Sequence, residues 1–227
     1  MAKTSNRPFD FGVSAEEYDA WYETPVGQVH DRVQKADVRR LLGRGRPGER
    51  LLDIGCGTGH WSRFFSSLEY TVVGIDIAEE MILVAKKSRS HGIFAMGDAC
   101  SLPFKDRTFD AVTAMATLEF VSNVSSALKE MFRCVKSGSC VLVGTLNRLA
   151  PLNRRRLAEG RQPYASGRLF APNELRHLLD PFGHVRMLAS VATPSAPSIR
   201  RCGQVKQRLQ GKGGSLSGAF IVAEVLT

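Results

Sequence analysis

No apolar run in this sequence approaches the roughly 18 residues that a membrane-crossing helix requires. The N-terminus, MAKTSNRPFDFG, lacks the apolar core of a secretory signal, so a soluble, cytoplasmic protein is expected. The five cysteines, Cys56, Cys100, Cys134, Cys140 and Cys202, form no CxxC pair and lie far apart. That argues against a zinc site or a disulfide framework and for reduced, mostly buried thiols; no metal is expected. Acidic residues are scarce in the last third: residues 148–227 hold 13 Lys and Arg against 4 Asp and Glu, whereas residues 1–147 hold 18 of each. The whole net charge of +9 therefore sits there. Aromatic residues do not interleave with most of these charges as a nucleic-acid groove would want, so a solvated basic surface is favoured over an RNA or anionic-membrane interface.

The 227 residues, 43% hydrophobic and 23% charged, suffice for one core without disulfides or a structural metal. From Leu51 to Leu146, short apolar runs alternate with amphipathic helical patterns, the rhythm of βα units on a parallel sheet. Strands are predicted at 51–54, 71–76, 93–96, 109–115 and 140–146. Trp61, Phe64, Phe65 and Leu68 share one helix face, Met81, Ile82 and Ala85 another, and Val124, Leu128, Met131 and Val135 a third. Upstream, Ser14 and Glu17 suggest a capping box for a short helix bearing Tyr18, Trp21 and Tyr22, and Thr24-Pro25 the start of a second helix that Gly43 ends. Downstream, a helix is predicted at 172–179 and two antiparallel edge strands at 185–192 and 219–226, joined by a long mobile loop over 193–218. The chain divides as one domain: a helical cap over 1–48, a core over 49–146, an acceptor-side segment over 147–182 and C-terminal strands over 183–227.

Asp53-Ile54-Gly55-Cys56-Gly57-Thr58-Gly59 falls at the first strand-to-helix turn. Glycines there allow close backbone approach, and bare N–H groups at a helix N-terminus suit a ligand with an anionic end. A dinucleotide fingerprint, GxGxxG, would need its last glycine where His60 stands. An acid at Asp53 is awkward beside a pyrophosphate and suits a ligand that carries an ammonium group as well as a carboxylate. Asp76 ends the second strand, where a carboxylate can accept from both hydroxyls of a ribose. Gly97-Asp98-Ala99 follows the third strand and offers a carboxylate to an amino group such as that of adenine.

LLDIGCGTGHWS, VVGIDIAEEMILVAKK, GDACSLPFKDRTFDAV and LKEMFRCVKSGSCVLVG together resemble the class I S-adenosylmethionine-dependent methyltransferases, in particular the ubiquinone/menaquinone-biosynthesis (methyltransferase type 11) branch. The resemblance covers roughly residues 9–182. It implies a Rossmann-like, doubly wound α/β sheet of seven strands, mostly parallel with the last antiparallel, and helices on both faces. By the family pattern Asp53, Gly55, Gly57 and Gly59 meet the methionine moiety, Asp76 the ribose, Ile77 and Met81 the adenine face, and Asp98 and Ala99 the adenine edge. The cofactor set as a whole comprises Tyr22, Asp53, Gly55, Cys56, Gly57, Gly59, Asp76, Ile77, Met81, Gly97, Asp98, Ala99 and Met115, with S-adenosylhomocysteine as product. FDFGVSAEEYDAWYETPVG looks like the branch's N-terminal cap, whose Tyr and Trp residues fold over the cofactor.

Where the family often shows a His after the fourth strand, this chain has Phe120 within Thr117-Leu118-Glu119-Phe120-Val121, which removes an obvious general base. Methyl transfer from a sulfonium needs no enzyme nucleophile, so Cys56 needs no catalytic role. Acid–base candidates at the rim are Tyr18, Tyr22, His30, Glu119, Asn147 and Tyr164, whereas His60 reads as a surface residue. The acceptor is expected to be a small molecule, possibly anionic, because Arg148, Arg154, Arg155, Arg156, Arg161 and Arg168 stand against Glu159 alone after the fifth strand. An RNA- or lipid/quinone-directed enzyme, and a cofactor-binding module without turnover, are the alternatives. No Asn/Asp-Pro-Pro-aromatic signature of amino-methylating nucleic-acid enzymes follows the fourth strand; the stretch reads Ala114-Met115-Ala116-Thr117.

Overall fold

The computed structural model describes residues 15, 18–88, 92–190 and 216–227. Ser14, Glu17, Cys202 and most of the 193–218 loop lie outside them. A short helix, α1, spans Ala20–Glu23. The next, α2, spans Pro25–Leu42 for the reasons its sequence offers: the Thr24 hydroxyl accepts the Gly27 N–H, Pro25 fills the first turn, and Gly43 leaves the helix at φ 77°.

Five strands and three helices follow. They comprise β1 (Arg50–Ile54), α3 (His60–Ser67), β2 (Thr71–Asp76), α4 (Glu79–Lys87), β3 (Ile93–Met96), β4 (Phe109–Met115), α5 (Val124–Cys134) and β5 (Val135–Leu146). Then come α6 (Pro151–Ala158), α7 (Pro172–Leu179), β6 (His184–Ser190) and β7 (Phe220–Leu226). The strands form one seven-stranded sheet in the order β3-β2-β1-β4-β5-β7-β6. Only β7 runs antiparallel to its neighbours, β5 and β6.

Side-chain alternation sends each strand's residues into two cores. Leu52, Val112, Val141 and Val143 pack with Leu128 and Met131 of α5 and Leu175 and Leu179 of α7. Leu51, Ala111 and Leu142 pack on the other face with Val38 and Leu41 of α2 and Trp61 and Phe65 of α3. Phe65 is fully buried, worth about 2 to 3 kcal/mol by the area it hides from water.

Two expectations change. Val135 does not continue the α5 stripe; it opens β5 opposite Phe109, and the register then shifts so that Cys140 meets Ala111. β7 is not an edge strand but lies between β5 and β6, with Phe220 to Val225 all buried. Its run is apolar toward both faces, as an interior strand requires, and its one charge, Glu224, is paired with Arg186 directly across on β6. The edges are β6, where His184 and Arg186 are exposed, and β3, where Ile93 is 65% exposed.

Candidate active site

The carboxyl ends of β1, β2, β3 and β4 open into one cleft, as parallel α/β sheets arrange their ligand sites. Gly55, Gly57, Asp76, Ile77, Met81, Gly97, Asp98, Ala99 and Met115 of the expected cofactor set line it. The turn from β1 to α3 has φ of 66°, 53° and 82° at Gly55, Gly57 and Gly59. A Cβ at Gly57 would meet only the Met81 Sδ, at 3.9 Å, so the space above it belongs to the cleft.

The loop is not a bare-amide cradle. The Gly55 and Cys56 N–H groups donate to the Ile75 carbonyl at 2.7 and 3.0 Å, and Gly59 donates to the Cys56 carbonyl at 2.9 Å. The Gly57 N–H donates to Asp76 Oδ2 at 2.9 Å, and Ala78 N–H to Asp76 Oδ1 at 2.9 Å. With those donors paired, the loop offers glycine backbone at close range and a carboxylate fixed by two amides. A carboxylate oxygen can accept more than one hydrogen bond, so such a carboxylate suits a hydroxyl donor. Asp98, after β3, is exposed, with Oδ1 accepting from Cys100 N–H at 2.8 Å.

Four residues of the expected set do not line the cleft: Asp53, Cys56, Gly59 and Tyr22. Asp53 is 1% exposed and accepts from Ser62 Oγ at 2.6 Å and Thr113 Oγ1 at 3.1 Å. Burial pushes its carboxyl up to about 7, against the pull of those two hydroxyls, and the nearby Asp76 charge adds to the rise. It ties β1 to α3 and β4 beneath the glycines. Cys56 is buried against Phe94, Ile82 and Ala85, and burial raises its thiol far above the ordinary range. Gly59 sits at the start of α3. Tyr22 stacks on His60, with ring centroids 3.7 Å apart.

The cleft is also lined by residues outside the expected cofactor set, among them Thr117, Phe120, Val121 and Ser122 after β4, where the sequence marked the missing family His. Tyr18 forms part of its wall, placed there by its neighbour Asp19. Asp19 accepts from Thr58 Oγ1 at 2.7 Å and from Arg63 Nη2 at 3.1 Å, while Arg63 Nη1 donates to the Thr58 carbonyl at 2.9 Å. The N-terminal segment is thereby latched to the glycine loop itself.

Residues 52–143 match the family model of a methyltransferase domain. Over that stretch the chain is similar to methyltransferases. It is 33% identical over 142 residues to a malonyl-[acyl-carrier protein] O-methyltransferase of Erwinia pyrifoliae, covering 55% of this chain and 54% of that one. It is 37% identical over 130 residues to a demethylmenaquinone methyltransferase of Streptomyces avermitilis, covering 57% and 55%. The chain thus spans about half the length of these curated relatives. Among solved structures it is similar to a SAM-dependent methyltransferase of Thermotoga maritima described as a possible histamine N-methyltransferase. That similarity is 28% identity and a TM-score of 0.73 over 95% of this chain and 97% of that one.

Around the cleft the acid–base candidates separate. Asn147 is fully buried; its Nδ2 donates to the carbonyls of Leu216 and Gly218, and its Oδ1 accepts from Leu149 N–H, so it is a structural clamp. Glu119 is 2% exposed: Oε1 accepts from Leu146 N–H at 2.6 Å, Oε2 has no hydrogen-bond partner, and burial pushes the carboxyl up to about 7. It lies behind the cleft wall rather than in it. Burial, with Tyr164 and three carboxylates nearby, drives the Tyr18 hydroxyl above its ordinary range, so it stays protonated. His60 is not a surface residue: it stacks under Tyr22 and its Nε2 lies 2.7 Å from Asp31 Oδ1, which also accepts Lys35 on its other oxygen. Asp31 is held below the usual carboxylate range by these partners, which outweigh its partial burial. Among the described residues no helix is long and apolar enough to cross a membrane, and no group of three or more His, Cys, Asp or Glu is placed to hold a metal ion.

Proposed function

We propose that this protein transfers a methyl group from S-adenosylmethionine to a small-molecule acceptor by direct in-line displacement. The observation that carries the reading is the glycine turn with Asp76 pinned across it by Gly57 and Ala78 N–H groups, in a cleft that Asp98 also lines. These residues fit the cofactor. Gly57 leaves room for its amino-acid end, Asp76 would hold the ribose hydroxyls, Ile77 and Met81 the adenine faces, and Asp98 the adenine amino group. When bound, S-adenosylmethionine supplies a methyl on a sulfonium that already contains its leaving group.

The chain's own task is then to orient and to exclude water. Met115, Ala116 and Thr117 form the wall at the end of β4, and Tyr18 lines the same cleft as a protonated donor rather than a base. No nucleophile is needed, which accords with a Cys56 thiol kept neutral by burial. The Erwinia and Streptomyces relatives are named for different acceptors.

Calorimetric titration with S-adenosylmethionine and S-adenosylhomocysteine tests the reading. Both should bind, and Asp76→Ala should weaken each by about 1.5 to 3 kcal/mol through lost charge-assisted hydrogen bonds, leaving the protein folded. Binding of NAD in place of either would overturn the proposal. Unchanged affinity in the variant would make Asp76 a loop brace only.

A further inference from the structure

The arginines after β5 do not act as a block. Arg155 and Arg161 both pair with Glu159, at 2.6 Å each, and Arg148 reaches Glu174 at 2.9 Å. Arg168 lies over Phe170, and Arg154 is exposed. Arg156 differs from all of these. Its guanidinium lies 4.4 Å from the centroid of the Tyr164 ring and 5.9 Å from that of Trp21, with one donor turned to Asn153 Oδ1 at 3.3 Å. No carboxylate among the described residues pairs with it, and most of its five N–H donors are left to a ligand.

Its surroundings are built rather than incidental. The helix that carries it, α6, is anchored by the fully buried Asn153, whose Nδ2 donates to the carbonyls of Asn147 and Ala219. Trp21 packs edge-on against Tyr22, and Tyr22 against Tyr18, so a row of aromatic rings runs from Arg156 to the wall of the cofactor cleft. Aromatic faces hold a guanidinium in place without neutralising it. His30, 6.0 Å from the Trp21 ring, is kept below its ordinary range by burial and by the Arg156 charge. It is neutral at physiological pH, and Arg156 supplies the positive charge beside these rings.

We propose that Arg156 anchors a carboxylate or phosphate group of the methyl acceptor, so that the acceptor is a small anion entering between Trp21 and Tyr164. The proposal rests on the methyltransferase reading above and adds the substrate class. Trp21 is the natural reporter, since the second tryptophan, Trp61, is buried in the core.

The test follows tryptophan fluorescence of protein loaded with S-adenosylhomocysteine during titration with malonate and, separately, inorganic phosphate, against potassium chloride at matched ionic strength. At least one of the two anions should give a saturable change, and which one does so assigns carboxylate or phosphate. Arg156→Gln should weaken that binding about tenfold or more, in line with loss of a charge-assisted contact. Arg156→Lys, which keeps the charge, should fall between that variant and the wild type, and Arg155→Gln should match the wild type. Three results would each overturn the proposal: no saturable change with either anion while S-adenosylhomocysteine binds, equal weakening in Arg155→Gln, or Arg156→Lys no better than Arg156→Gln. Failure of S-adenosylhomocysteine to bind at all sinks the methyltransferase reading and this inference with it.

Discussion

Replacing Gly55 by alanine is expected to reduce cofactor affinity by about a hundredfold or more and to destabilise the fold by about 3 kcal/mol. Two costs combine. Gly55 has φ 66°, a conformation that costs an L-residue roughly 1 to 2 kcal/mol. A Cβ there would also stand 2.2 Å from Thr117 Cγ2 and 2.4 Å from its Oγ1, far inside contact distance. Thr117 cannot turn away cheaply, because its Oγ1 lies 3.1 Å from the carbonyl oxygens of both Ile54 and Met115. The backbone at residue 55 must yield instead, and the displaced turn pulls the Gly57 N–H from Asp76. Gly138→Ala is the control for conformation alone, with φ 77° and nothing within 4 Å of the new methyl; it should lose about 1 kcal/mol and no affinity. Calorimetry paired with chemical denaturation measures both quantities. Full affinity in Gly55→Ala would show that the loop tolerates a shift that the geometry forbids.

The second large effect is on the pH dependence of stability. Burial raises the folded pKa of Glu119 from 4.5 to about 7, so the native state keeps its proton where the unfolded chain has released it. Relative to this group, stability is highest below pH 4.5 and is lost as the pH rises toward about 7, beyond which the loss is constant. The full difference is on the order of 3 kcal/mol. Asp53 acts in the same direction, from 3.8 to about 7, through its own burial. Glu119→Gln retains an acceptor for the Leu146 N–H and removes the titration. Its unfolding free energy should therefore fall less than that of the wild type between pH 4 and pH 8, by about 3 kcal/mol. Parallel curves from denaturant melts across that range would show that Glu119 ionises without penalty.

The βα rhythm was legible because a sheet covered on both faces writes continuous apolar runs, and three of the five predicted core strands have their observed bounds, with 51–54 one residue short. Val135 was misplaced because a buried residue at a helix end and one at a strand start satisfy the same spacing. β7 was misread as an edge because sequence order carries no information on spatial order. In the cleft, the glycines, Asp76 and Asp98 announce themselves by following strands. Asp19, Thr58 and Arg63 do not, since a latch between segments 39 and 44 residues apart leaves no periodic trace. The role expected of Asp53 assumed an open carboxylate, but Ser62 and Thr113 already hold it. Six arginines read as one basic patch until Glu159 and Glu174 drew three of them away and the aromatic pair set Arg156 apart.

The insertion of β7 between β5 and β6 bears on how the chain can be made. Val141 of β5 meets Val225 of β7, and Val185 of β6 meets the same Val225 on the other side. While a ribosome has delivered β1 to β6 but not yet Phe220–Leu226, β5 and β6 have no direct pairing to fall back on. Two apolar strands must then wait with open backbone edges, the condition under which nascent chains pair with one another. Closure of the sheet is thus tied to the emergence of its last strand, and chains interrupted before Phe220 are expected to partition to aggregation or to chaperones rather than to a smaller native domain.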